Sequence, residues 1–161
     1  MIHLINHANA KFYRSELDSL FRLRHELYVR RRGWSAIDRG DGLEKDQFDT
    51  EAAVYLLGLD DATGEILAGT RLMPTMGPHL MADVFRHIVI KDVPRAPDIL
   101  EMTRYFTTPT RRNPKQMKRM GSEVLCAMFE YGLEEGINFI TVVCDTFFLP
   151  GMQECGWKVE P

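Results

Sequence analysis

AAVYLLGLDDATGEILAGTRLM, residues 52–73, holds two apolar runs of strand length around the turn-forming stretch Asp60-Asp61-Ala62-Thr63-Gly64. Runs 52–59 and 65–73 on either side of such a turn read as an antiparallel hairpin. Downstream, Pro74, Pro78, Pro94 and Pro97 make residues 74–97 irregular, with room for one helical turn in MADVFRHI. DILEMTRYFT, residues 98–107, reads as a third strand. Met117, Met120, Val124, Leu125, Met128 and Leu133 recur at helical spacing, predicting a long helix over 115–135 that Gly136 ends. A buried-type strand over 137–144 and a short helix over 147–155 complete that half. Upstream, Leu17, Leu20, Phe21, Leu27 and Tyr28 predict an amphipathic helix over 11–31. The 21 residues RRRGWSAIDRGDGLEKDQFDT that follow are too polar for core and too long for a tight turn, as functional loops often are. Helix, hairpin, strand, helix and strand in that order imply an α/β chain with helices packed on a mixed sheet.

The 161 residues suffice for one domain, 1–161, with a real core. With 45% hydrophobic and 27% charged residues, the composition excludes disordered and fibrous classes. A net charge of −3 supplies no global field for nucleic acid, and no apolar run is long enough for a membrane span. The first residues lack the basic and apolar regions of a secretory signal. Cys126, Cys144 and Cys155 have no C-x-x-C spacing, so a disulfide framework or structural zinc is not expected and a reducing cytoplasm is. His3, His7, His25, His79 and His87 form no helical ligand pair, so no metal is expected.

Four charged residues sit where apolar ones belong. Arg24 shares the helical stripe of Leu17, Phe21 and Tyr28, where a guanidinium either snorkels to solvent or needs an anionic partner. Arg71 and Arg104 interrupt strand patterns, ILAGTRLM and EMTRYF. The nearest acidic supply is the loop, with Glu44, Asp46 and Asp49 in GLEKDQFDT, and three arginines against one acidic loop predict a buried ion-pair network. Glu101 lies three residues from Arg104, which on a regular strand puts the two on opposite faces. A β-bulge or sharp bend between 99 and 106 is therefore expected if both serve one cleft. Trp34 and Phe85, in irregular segments, either cap the core or wall a ligand, cationic ones included. Arg111, Arg112, Lys115, Lys118 and Arg119 form an acid-free basic run before a helix, suited to an acidic protein or a phosphate.

Arg24, Tyr28 and Trp34, then EKDQFD at 44–49, Arg71, Phe85 and EMTR at 101–104, resemble in order and spacing the acyl-homoserine-lactone synthases. These LuxI-type autoinducer synthases serve bacterial quorum sensing. The resemblance runs from Leu4 to Trp157, with Tyr28 where the family more often has Phe. The sequence ends at Pro161, where the resemblance implies a C-terminal extension that family members usually carry.

The resemblance implies a fold similar to the GNAT acyltransferases, a mixed twisted sheet flanked by helices with a V-shaped cleft between the third and the following main strand. The implied reaction transfers an acyl group from a thioester, on acyl carrier protein or coenzyme A, to the amine of S-adenosylmethionine. Lactonisation then releases 5′-methylthioadenosine. No cofactor is needed, S-adenosylmethionine being a substrate. The implied catalytic residues are Glu101, as base through a water, with Arg24 and Arg104. Tyr28, Trp34, Asp46 and Arg104 would bind S-adenosylmethionine, and Phe85, Met102, Thr103 and Thr141 would line the acyl and thioester pocket. Glu44, Asp49 and Arg71 would supply supporting ion pairs, and the basic run would receive the carrier. Two alternatives are an acetyl-coenzyme A-dependent N-acetyltransferase and a non-catalytic interaction module. Lys118-Arg119-Met120-Gly121-Ser122-Glu123 has only one of the two glycines of the acetyltransferase pyrophosphate loop, which disfavours the first.

Overall fold

A computed structural model describes residues 1–108, 114–154 and 156–160, with only the backbone described over 114–118. Five strands form one sheet in the order β1-β2-β3-β4-β5: Ile2–Ile5, Val54–Leu59, Ile66–Pro74, Ile99–Thr107 and Phe139–Val142. The helices are α1 (Arg14–Arg24), the short α2 (Leu80–Asp83), α3 (Pro114–Glu134) and α4 (Leu149–Glu154). The hairpin, third strand, long helix and closing strand thus lie where the sequence pattern puts them. β1 had no counterpart in that pattern; four residues at the chain start carry too little periodicity to be read, yet they pair antiparallel with β2 at the sheet edge.

The first helix differs from the expected continuous one over 11–31. Ala10–Phe12 is a separate 3₁₀ turn, α1 is regular, and His25–Arg31 is π-helical, closed by Arg32 N–H donating to the Leu27 carbonyl five residues back. Such π segments concentrate at functional sites because they re-aim side chains within a helix.

The sheet separates two apolar layers. Leu20, Phe21 and Leu27 pack with Ile5, Phe48, Tyr55, Leu57 and Phe106 on the α1 face. Leu56, Leu72, Leu100 and Met102 meet Met120, Val124 and Met128 of α3 on the other. α3 approaches closely because Gly121 has no side chain: a Cβ there would lie 2.7 Å from a Thr107 methyl and 2.8 Å from the Tyr105 hydroxyl.

β4 is the strand along which the pairing changes. It pairs in parallel with β5 only through Ile99 to Met102, after which β5 ends at Val142 and β4 continues to Thr107. On its other side the antiparallel register with β3 jumps from Arg71↔Thr103 to Gly69↔Phe106, so Arg104 and Tyr105 together face the single residue Thr70. This is the bulge that the Glu101–Arg104 spacing calls for. Arg104 takes φ 54°, a left-handed conformation unusual for a side chain of its size.

Among the described residues, no helix is long and apolar enough to cross a membrane.

Candidate active site

The bulge sorts β4 side chains between the two layers. Leu100 and Met102 face α3, while Glu101, Thr103, Arg104 and Phe106 face the α1 side. Met102 and Thr103, expected in one pocket lining, therefore project to opposite faces, with Met102 buried in the α3 layer. Thr141 lies opposite Glu101 in the parallel register and so shares its face.

Three arginines and three carboxylates close into a ring on that face. Arg24 of α1 clamps Asp49 with two hydrogen bonds of 2.8 and 3.0 Å and donates its Nε–H to Glu44. Glu44 also accepts from Arg104 Nη2 at 2.9 Å. The same Nη2 donates to Asp46 at 3.0 Å. Asp46 is clamped in turn by Arg71 at 2.6 and 3.0 Å, and Arg71 Nη1 lies 2.8 Å from Asp49, which completes the circuit. Bidentate guanidinium–carboxylate pairs of this kind are directional, and closing them satisfies charges that burial would otherwise penalise heavily. Arg71 Nε–H donates to Thr103 Oγ1 and the Tyr55 hydroxyl donates to Asp49, so the ring is tied to the sheet as well.

The loop is folded to deliver its acids. Glu44 N–H donates to the Phe21 carbonyl at 3.0 Å, anchoring the loop to α1. Phe48 is buried in the α1 layer between the two aspartates. Asp46 accepts from Phe48 N–H, and Asp49 from Asp46 N–H, holding both carboxylates toward the arginines. Burial works to raise the Glu44 carboxyl, but hydrogen bonds from Arg104 and Arg24 outweigh it and leave it below the usual range. Asp49 follows the same balance, with Arg24 and Arg71 holding it well below that range.

The ring has one open corner. Side-chain exposure is 1% for Arg24, Arg71 and Glu44 and 0% for Asp49, against 10% for Arg104 and 18% for Asp46. Tyr28 adjoins this corner: Arg104 Cζ lies 5.5 Å from its ring centre, and Trp34 stacks on it at 5.1 Å with the planes 20° apart. Arg32 also lies over the Tyr28 ring, at 5.1 Å. The Tyr28 hydroxyl, pushed up to about 12 by burial, donates to the Tyr105 carbonyl at 3.3 Å and so fastens the bulge from the α1 side.

Glu101 lies beyond the ring, fully buried, where its carboxylate accepts N–H bonds from Leu80 at 2.7 Å and Met81 at 2.6 Å at the start of α2. Burial raises its proton affinity, while the two N–H donors act against that shift. Glu101 and Arg104 therefore share a face without touching a common partner. Phe85, half-buried after α2, packs near the His87 ring.

Arg111 and Arg112 of the basic run lie outside the described residues, as do the side chains of Lys115 and Lys118. Arg119 is exposed and pairs with Glu123 one turn along α3, at 2.6 Å. Two participants were not read from the sequence: the α2 backbone and the Tyr55 hydroxyl. Only the helical turn expected in MADVFRHI pointed toward the first.

The family model described as autoinducer synthase matches residues 8–160. The isovaleryl-homoserine lactone synthase of Bradyrhizobium diazoefficiens is 36% identical over all of this chain, which covers 71% of its length. The acyl-homoserine-lactone synthase of Rhizobium etli is 28% identical, again over the whole chain and 76% of its own. Among solved structures, BjaI, a CoA-dependent acyl-homoserine lactone synthase with SAM and isopentyl-CoA, superposes with a TM-score of 0.88 at 36% identity, over 97% of this chain and 72% of BjaI. MesI, likewise described as CoA-dependent, gives 0.86 at 40% identity over 98% of this chain and 77% of MesI. The sheet and its flanking helices are thus the GNAT-like fold of these enzymes, and the chain belongs to the autoinducer synthase family, the acyl-homoserine-lactone synthases.

Proposed function

We propose that this chain transfers an acyl group from an acyl-coenzyme A to the amine of S-adenosylmethionine and closes the product into an N-acyl-homoserine lactone, a quorum-sensing signal. The observation that carries this reading is the open Arg104–Asp46 corner beside Tyr28 and Trp34, on the same face of the bulged β4 as buried Glu101, in a chain of this family.

The residues suit the chemistry. S-adenosylmethionine brings a sulfonium, an ammonium and a carboxylate; aromatic faces attract the first, Asp46 offers negative charge, and Arg104 offers a guanidinium to the carboxylate. Arg24, sealed behind the corner, holds Glu44 and Asp49 in place and acts through them. Glu101, working through a water, takes a proton from the ammonium. The amine pair then attacks the thioester carbon, the C–N bond forms, and the C–S bond breaks with its electrons leaving on the coenzyme A thiolate. The methionyl carboxylate next attacks its own γ-carbon, and the bond to the sulfonium breaks to release neutral 5′-methylthioadenosine. No electron is gained or lost overall, so the reaction calls on no redox cofactor. Thr103 and Thr141, on the Glu101 face, would border the thioester, with Phe85 beside it; Met102 would act from behind the strand.

The coenzyme A donor is supported by the descriptions of BjaI and MesI as CoA-dependent. Both substrates are metabolites of the cytoplasm, where we place the enzyme. The test is to incubate the protein with S-adenosylmethionine and a panel of acyl thioesters, isovaleryl-coenzyme A first and the matched acyl carrier protein thioesters beside it. Methylthioadenosine and a lactone of the expected mass should appear only when both substrates are present. Acetylation of ordinary amines, with none of S-adenosylmethionine, would establish the N-acetyltransferase instead, and no turnover of any kind would favour the interaction module.

A further inference from the structure

His79 stands immediately before α2, fully buried, and the reaction as derived gives it no part. Its Nδ1 lies 2.9 Å from the Gly77 carbonyl oxygen. A carbonyl only accepts, so Nδ1 carries the proton, and in the neutral ring Nε2 is then a bare lone pair. Nε2 is the one buried side-chain nitrogen or oxygen among the described residues without a protein hydrogen-bond partner. A buried acceptor of this kind calls for a donor. The next two residues, Leu80 and Met81, donate their N–H groups to Glu101, and the imidazole is near enough to act electrostatically on that carboxylate. Glu101 and His79 do not bond each other, so a molecule joining them would itself bring two protons. Water is the smallest such molecule.

We propose that His79 is a positioning residue for proton removal: Nε2 and the Glu101 carboxylate together hold one water by its two protons. Such a water has both donors engaged and both lone pairs turned outward, the orientation needed to accept a proton from an ammonium. On transfer, the water takes one proton from the amine nitrogen and passes one of its own to Glu101 or to Nε2, so the water itself is conserved. The second proton, lost by the nitrogen as the amide forms, goes to the departing thiolate. The charged groups around the pair are Glu101 on β4, Arg71 on β3, which acts on Glu101, Arg95, whose Nη1 lies 3.4 Å from the same Gly77 carbonyl, and exposed Asp83 on α2 itself.

This rests on the proposed function, so the test begins with a measurement that does not. The ring nitrogens of His79 in the wild-type chain, read by NMR at the working pH, should show a protonated Nδ1 and an unprotonated Nε2, and Glu101→Gln should move the Nε2 signal. A proton on Nε2 with none on Nδ1, or a signal indifferent to Glu101→Gln, overturns the proposal whether or not the chain makes lactone. The kinetic arm uses His79→Asn, whose amide nitrogen can still donate to Gly77 but which has nothing at the Nε2 position. Its kcat should fall about tenfold or more, with KM for S-adenosylmethionine and melting temperature unchanged, and adding it to Glu101→Gln should cost little further. Wild-type kcat in His79→Asn, or independent multiplicative losses in the double variant, would reduce His79 to a fastener of the turn. If the wild type makes no lactone, the proposed function fails by itself and the NMR result still stands.

Discussion

Arg71 and Arg104, on neighbouring strands, meet on one carboxylate: Arg71 clamps both oxygens of Asp46, and Arg104 Nη2 shares Oδ2 at 3.0 Å. A regular β4 would send Arg104 to the α3 face. The extra residue opposite Thr70, and the left-handed backbone at Arg104, bring it back to the ring.

Asp49→Asn should be the most destabilising conservative change in the ring. It neutralises the carboxylate that Arg24, Arg71 and the Tyr55 hydroxyl all contact, leaving two sealed guanidiniums short of an anion. A loss of about 3 kcal/mol is expected by urea unfolding. Arg104→Ala should cost less, since Glu44 keeps Arg24 and Asp46 keeps Arg71.

Acid should unfold the protein through Glu44 and Asp49. Both carboxyls sit below their ordinary values in the native state, so the folded chain binds fewer protons than the unfolded one. Their contribution is complete above about pH 4, the ordinary carboxyl value, and is lost as pH falls through the lowered native values. Glu101 has the opposite sign, its raised affinity making ionised Glu101 cost stability as pH rises through its native value. Melting temperature against pH should therefore drop steeply on the acid side, and Asp49→Asn should flatten that drop.

Glu101→Gln should lower kcat about 100-fold, as expected for loss of a general base. An amide offers one acceptor oxygen where the carboxylate offers two, so one of the Leu80 and Met81 bonds is also lost, at about 1 kcal/mol by thermal melting. Turnover that survives intact would move the base elsewhere on the face.

Trp34→Ala should raise KM for S-adenosylmethionine about fivefold to tenfold, with kcat and the acyl-coenzyme A KM nearly unchanged, because Trp34 is 42% exposed and its stack with Tyr28 walls the open corner. Tyr28→Phe should keep that KM and lower kcat instead, since it removes the bond that pins the bulge at Tyr105.

Much of this was legible because charges stood out against apolar patterns. Arg24, Arg71 and Arg104 each broke the period of its element, and one loop was the nearest acidic supply, so a buried ion-pair network followed from charge balance. The bulge followed from the three-residue spacing of Glu101 and Arg104. What stayed hidden depends on contacts across the chain. β1 gains its structure from β2 rather than from its own four residues. The π-helical turn leaves the apolar spacing almost unchanged and is visible only in hydrogen bonding. The pairing inside the ring, with Glu44 between Arg24 and Arg104 and Asp46 between Arg71 and Arg104, is set by reach, which spacing alone does not encode.

The ring also has a consequence for how the chain assembles. Its members come from α1, the loop, β3 and β4, so it closes only when all four have arrived in one arrangement. A slip of β4 by a single residue would turn Arg104 away from the acids and strand Asp46 or Glu44 without its second cation. Misregistered pairings that satisfy the apolar layers almost as well are thereby rejected, and the ring proofreads the alignment of the strand that carries the chemistry.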